Sequence, residues 1–206
     1  MIEVALPGAR VAFTSRAQGD VREATGLTAI EELAGRPLAR GDQIHGATVR
    51  RIAGAGGRDP ISEADGQATA RTDVAVMVQV ADCLPIAVAA PGAVAMLHAG
   101  WRGLAAGVLE EGVFALRELG ATGPLAAVIG PGARGCCYEV GDDVRAAFGE
   151  HTRTIDLPTI AARRLAGLGV ESIEDVGCCT ICDGRFFSYR REGEAAGRQA
   201  GVAWLS

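Results

Sequence analysis

The stretch Asp65–Gly103, DGQATARTDVAVMVQVADCLPIAVAAPGAVAMLHAGWRG, decides how the chain is read. Val74–Val80 is a β-rich apolar run without alternation, the pattern of a strand covered on both faces. Leu84–Ala90 and Ala93–Leu97 flank the turn signal Pro91-Gly92 and predict a hairpin of two further buried strands. Beyond Gly103 the period changes, since Leu104, Ala105, Val108, Leu109, Val113, Leu116 and Leu119 share one helical face, with Glu110, Glu111, Arg117 and Glu118 mostly on another. A helix is therefore predicted, stopped near Gly120. The apolar runs end on residues a core has little use for: Asp82 and Cys83 after the first, then His98, Trp101 and Arg102 after the hairpin. Element ends are where a rigid scaffold presents side chains to a cleft.

Outward from this segment, Arg10–Thr14 reads as the first strand and Asp20–Leu33 as a helical stretch, and Gln43-Ile44 is strand-like before His45-Gly46. Downstream, Leu125–Ile129 is a strand entering a Gly-rich loop, and Asp142 or Asp143 caps a helix over Val144–Phe148. Pro158 opens a helix over Thr159–Ala166. Val170–Val176, Phe186–Tyr189 and Val202–Leu205 are read as closing strands. The mixture is an α+β class, and 206 residues without an evident linker predict a single domain over 1–206.

Composition narrows the function classes. Hydrophobic residues make up 49% of the chain, and the net charge of -5 gives no electrostatic case for nucleic acid. The longest apolar run, Leu84–Leu97, is broken by Pro91-Gly92 and too short to span a bilayer, so no membrane partner is expected. Met1–Pro7 lacks the basic region and apolar stretch of a signal peptide, which predicts a cytoplasmic protein acting on small molecules. In a reducing compartment the six cysteines read as thiols or metal ligands rather than disulfides. Cys179-x-x-Cys182 and Cys136-Cys137 form a possible zinc pair of pairs, but vicinal cysteines are poor finger spacing, so packing or incidental thiols are preferred there.

Of the three histidines, His45 and His98 adjoin small residues, and His151 lies in a polar, surface-like stretch. His45, Cys83 and His98 supply the donor set of a three-ligand zinc site with an open position, and the thiolate also suits copper. The rival reading makes Cys83 a nucleophile and His98 its base, with His45 or Asp82 orienting. Arg102, beside the helix N-terminus after Gly103, is a candidate anion holder. Asp82 is either a proton relay or a buried structural acid. Arg134 and Tyr138, in the Gly-rich loop, are candidate cleft residues.

Six motifs then occur in order: Asp65-Gly66, Ala81-Asp82-Cys83-Leu84-Pro85, His98-Ala99-Gly100-Trp101-Arg102-Gly103, Ile129-Gly130-Pro131, Cys137-Tyr138-Glu139-Val140-Gly141 and Phe186-Phe187-Ser188-Tyr189-Arg190-Arg191. Together they resemble the YfiH family, long labelled polyphenol oxidases or laccase-domain proteins and described as zinc-dependent purine nucleoside phosphorylases. The resemblance implies an α/β/β/α arrangement of two mixed sheets, similar to the catalytic domain of a cytotoxic necrotizing factor, with metal ligands at His45, Cys83 and His98. It implies phosphorolysis of adenosine, inosine and methylthioadenosine, with adenosine deamination at the same site. The partners implied are purine nucleosides and phosphate, and the oligomeric state stays open. Two rival activities are an amide hydrolase editing peptidoglycan precursors and a copper phenol oxidase. Three histidines are too few for the multiple copper motifs of such an oxidase.

Overall fold

Strand pairing divides the apolar runs between two mixed sheets, and the structure, a computed structural model, describes residues 1–54, 57, 60 and 62–206. The first sheet contains β1 (Ile2–Leu6), β2 (Ala9–Phe13), β3 (Leu38–Ala39), β6 (Ala75–Val80) and β11 (Gln199–Leu205) in the order β1-β2-β11-β6-β3. The second contains β4 (Val49–Arg51), β5 (Gly66–Thr69), β7 (Leu84–Ala90), β8 (Ala93–Ala99), β9 (Leu125–Ile129) and β10 (Val170–Asp175) in the order β10-β9-β7-β8-β5-β4. Pairings are antiparallel except β3 with β6, β4 with β5 and β9 with β10.

Side-chain alternation explains why the central runs are apolar throughout. On β7, Ile86 and Val88 pack towards Leu104, Leu109 and Leu116, while Ala87 and Ala89 face Val76, Val78 and Phe13 of the other sheet. Burying each large aliphatic side chain of this kind is worth about 1.5–3 kcal/mol. The first sheet turns its other face, including Met77, Val202 and Trp204, to α1 (Ala24–Ala34). The outer face of the second sheet is covered by α2 (Trp101–Ala106), α3 (Val108–Glu118), α4 (Asp142–Phe148) and α5 (Leu157–Gly167). The layers are thus helix, sheet, sheet, helices, the α/β/β/α arrangement the resemblance implies. Among the described residues no helix is long and apolar enough to cross a membrane.

Several local expectations are corrected. The helix expected after Gly103 is two helices, starting earlier at Trp101 and broken at Gly107, whose φ of +97° is a left-handed conformation that glycine adopts without strain. Arg102 accordingly lies inside the first turn of α2 and not ahead of it. The first strand is Ile2–Leu6, and the segment read as first is the second. Phe186–Tyr189 is not a strand: Ser188 caps the short helix α6 (Tyr189–Glu192) by accepting from the Arg191 NH. Gln43-Ile44 is irregular, and α4 is preceded by Gly141, with Asp142 and Asp143 inside its first turn rather than capping it.

Candidate active site

The β7–β8 register creates the site. Leu84 lies opposite Ala99, so the residue before β7, Cys83, stands beside the last residues of β8 and the turn into α2. His98 is a buried member of β8, and Cys83 is half-buried. Gly100 lines the same spot because a Cβ there would come within 2.8 Å of the Cys83 Sγ and 3.5 Å of the His45 ring. His45 arrives from a loop far away in sequence, and its ring meets that of His98 edge-on, 4.8 Å between centroids.

One carboxylate assembles this loop. Asp65, fully buried, accepts from the backbone NH groups of Ile44 (3.2 Å), His45 (2.8 Å) and Gly46 (2.7 Å), and contacts the His98 Nδ1 at 2.7 Å. Burial favours the protonated acid, but the His98 contact and the NH donors outweigh it and hold the Asp65 carboxyl below its ordinary range. Among the described residues the non-glycine residues at positive φ are His45 (+62°) and Asp82 (+83°), so backbone strain is concentrated in this site. Asp65 offsets it at His45.

The remaining donor atoms converge. One ligand atom each from His45, Cys83 and His98 lies within 4.8 Å of the others, with exposure rising from buried His98 to exposed His45. Burial raises the Cys83 thiol, but the His98 charge and hydrogen bonds from both imidazoles reverse this and bring it to about 6. Burial likewise works against protonated His98, and the Cys83 thiolate with Asp65 raises it to about 9. The donor set suits a metal: His98 has its Nδ1 on a carboxylate, which fixes the ring and leaves Nε2 for the ion, and the thiol is poised as thiolate. Three ligands beside an open cavity leave a fourth position for water or substrate.

The cavity has a volume of about 570 Å³ and is lined by the three donors together with Gln43, Gln79, Asp82, Trp101, Arg102, Tyr138, Tyr189, Arg190 and Arg198. Arg102 stacks on Trp101 at 4.4 Å, and Arg190 lies 5.2 Å from the Tyr138 ring centre. Asp82 is the carboxylate in the wall. Its oxygens accept from Thr180 Oγ1 (2.6 Å), Ser188 Oγ (3.0 Å) and the Arg190 NH (2.7 Å), so it anchors two loops and contacts neither histidine. The side chain that holds His98 is Asp65.

Two of the sequence candidates lie elsewhere. Arg134 makes a paired interaction with Asp175 at 2.8 and 2.6 Å and does not line the cavity. Gly103 is buried in α2 against the Gly46 carbonyl, which a Cβ would approach to 2.9 Å, so it permits close packing of helix on loop. His151 is exposed and remote from the cavity. Asp65, Gln43, Gln79 and Arg198 are site residues the sequence reading gave no role. Gln43 was discernible only in hindsight: its side-chain amide completes the β6 edge, donating to the Gln79 carbonyl and accepting its NH at 2.8 Å each.

Known proteins match this chain along most of its length. The profile of the family described as multi-copper polyphenol oxidoreductase laccase matches residues 16–206. A Xylella fastidiosa (strain Temecula1) protein named purine nucleoside phosphorylase is 41% identical over 193 residues, covering 79% of this chain and 70% of its own. The Escherichia coli K12 protein named purine nucleoside phosphorylase YfiH is 39% identical over 182 residues, covering 80% and 72%. The crystal structure of the Neisseria meningitidis protein NMB0706 superposes with a TM-score of 0.83 at 29% identity, covering 100% of this chain and 98% of that one.

Proposed function

The chain belongs to the family described as multi-copper polyphenol oxidoreductase laccase, and from that membership we propose that it is a zinc-dependent purine nucleoside phosphorylase. Adenosine, inosine and methylthioadenosine are the expected substrates, cleaved by phosphate to free base and sugar 1-phosphate. The observation that carries the reading is the convergence of His45, Cys83 and His98 in one cavity with the guanidinium groups of Arg102, Arg190 and Arg198. The names of relatives at 39–41% identity support a phosphorylase of this kind.

Phosphorolysis breaks the bond between the sugar C1′ and the purine nitrogen, whose electron pair leaves with the base, while a phosphate oxygen bonds to C1′. Charge of opposite sign develops on sugar and base, so the anion and the leaving group need separate, preorganised partners. Arg102 is the primary phosphate holder in this account: it lines the cavity and stacks on Trp101. Arg190 assists from a position fixed by Asp82, which accepts its NH, and Arg198 completes the cationic side. Tyr138 and Trp101 give the purine aromatic faces, and Gln79, whose buried Oε1 has no hydrogen-bond partner among the described residues, gives its polar edge an acceptor.

His45, Cys83 and His98 would hold the zinc. Bound there, the ion supplies Lewis acidity and lowers the pKa of a water, which suits the adenosine deamination we propose as a side activity. Asp65 keeps His98 in the tautomer that presents Nε2. Copper oxidation is less well supported, because only two of the three histidines reach the cavity.

The test is incubation of zinc-loaded protein with adenosine, with and without phosphate, resolving adenine, inosine and hypoxanthine by chromatography. Adenine formed only with phosphate, and lost in Cys83→Ala, is the expected result. Bound zinc with no purine product in either condition overturns the nucleoside assignment.

A further inference from the structure

The other five cysteines are not scattered. Four of them, Cys136, Cys137, Cys179 and Cys182, gather outside the cavity with their sulfurs all within 4.8 Å of one another. The topology explains the meeting. Strands β9 and β10 run parallel, so the loops that follow them leave the same edge of the sheet side by side. Gly132 and Cys179 bridge the two loops through the Gly132 NH to the Cys178 carbonyl (3.2 Å) and the Thr180 NH to the Gly132 carbonyl (3.1 Å). Arg134 clamps the first loop to Asp175 at the end of β10.

We propose that Cys136, Cys137, Cys179 and Cys182 form a second, structural metal site that takes zinc through four thiolates and staples the two loops together. The sulfur spacings are those of a coordination shell. Cys137 lies 3.3 Å from Cys182 and 3.4 Å from Cys179, while Cys136 lies 3.5 Å from Cys137 and 3.7 Å from Cys182. Zinc–sulfur bonds of about 2.3 Å at tetrahedral angles put sulfurs about 3.8 Å apart. A disulfide needs about 2.05 Å, and all four cysteines are free thiols. Four sulfurs also close the tetrahedron, as a structural site requires, in contrast to the three donors of the cavity.

Without a metal, burial and the neighbouring sulfurs hold the Cys136 and Cys137 thiols above their ordinary range, while Cys179, despite burial, is brought down to about 7 beside the backbone NH groups of Cys182 and Ile181. Arg134 is within electrostatic reach of Cys179. In forming the site, each thiol that still carries a proton releases it to solvent as its sulfur bonds the ion. Zinc stays divalent, and no oxidant or reductant takes part.

The staple stands directly behind the cavity wall. Cys137 precedes Tyr138, which lines the cavity, and Thr180, enclosed between Cys179 and Cys182, donates to Asp82 at 2.6 Å. Holding the two loops together therefore holds Tyr138 and the Asp82 anchor in place.

The test separates the two sites by removing the cavity's thiolate. Cys83→Ser protein, purified with zinc under reductant, is expected to retain one zinc per chain by elemental analysis, and its cobalt-substituted form to show the intense thiolate-to-cobalt absorption of a tetrahedral four-sulfur site. Adding Cys136→Ser and Cys182→Ser, both at exposed positions, is expected to abolish that zinc and to accelerate amide hydrogen exchange over residues 134–139 and 178–183. A Cys83→Ser protein that binds no zinc overturns the proposal. So does zinc that persists when Cys136 and Cys182 are both serine, or a disulfide among the four thiols in the reduced protein by mass spectrometry.

Discussion

Replacing Asp65 by Asn tests the assembly of the site most sharply. The carboxylate accepts three backbone NH groups and contacts His98 Nδ1, all at 2.7–3.2 Å, with no exposure to water. Asn keeps the shape but removes the charge, and its NH2 must face donors that previously met an oxygen. Hydrogen bonds to a charged group are worth about 1.5–3 kcal/mol each, and breaking a buried ion pair costs about 3–5 kcal/mol. The loop strain released at His45, about 1 kcal/mol for a single left-handed residue at the low end of such strain, returns part of that. A net stability loss of about 2–4 kcal/mol follows, read from chemical denaturation of the metal-free protein. Outer partners of a ligating histidine typically govern affinity by about 10–100-fold, so zinc binding at the cavity, measured by competition with a chromophoric chelator in a Cys136→Ser/Cys182→Ser background, is expected to weaken by that factor. Because the folded-state Asp65 carboxyl is held below its ordinary value, its contribution is present above that value and fades as pH falls through the lowered one. The Asp65→Asn penalty is accordingly expected at neutral pH and to shrink in acid. An Asp65→Asn protein with wild-type zinc affinity and wild-type stability at neutral pH refutes the role assigned to this carboxylate.

Four further outcomes follow from the geometry. In metal-free protein, alkylation of Cys83 is expected to follow a midpoint near pH 6, since its thiol is lowered to about 6; a midpoint at the ordinary thiol value contradicts the Cys83–His98 pairing. Gly100→Ala drives a methyl to 2.8 Å from the Cys83 sulfur, so one zinc per chain should be lost while circular dichroism stays native. Arg102→Ala is expected to raise the KM for phosphate by about 10–100-fold, the equivalent of a charged hydrogen bond of about 1.5–3 kcal/mol, with less change in the KM for nucleoside. Arg134→Ala, by contrast, breaks only the Asp175 pair at the surface of the loop and should leave the KM for phosphate unchanged.

Much of the core was legible because the central strands are buried on both faces, which shows as unbroken apolar runs at Ala75–Val80, Leu84–Ala90 and Ala93–Ala99. Strand β1 was not, because at the sheet edge its residues alternate between half-buried and exposed and carry a weak signal. The break at Gly107 was hidden by an apolar period that continues across it. Phe186–Tyr189 has the aromatic content of a strand, but the Ser188 cap and the Arg190 NH bound to Asp82 turn it into a helix. In the site, His45, Cys83 and His98 stood out as scarce residues at element ends, while Asp65 did not, because its meaning lies in a loop some twenty residues earlier that it gathers by hydrogen bonds. The four-sulfur cluster was undervalued for a related reason. Vicinal cysteines are poor ligands within one loop, and only the parallel pairing of β9 with β10 brings in the second loop that completes the set.

Phosphorus-31 NMR of the reaction with adenosine tests the central claim most directly. Zinc-loaded protein in phosphate buffer is expected to form one sugar 1-phosphate for each adenine released, with none formed by Cys83→Ala. Adenine accompanied by free ribose and an unchanged phosphate signal would contradict phosphorolysis and make the cavity that of a hydrolase.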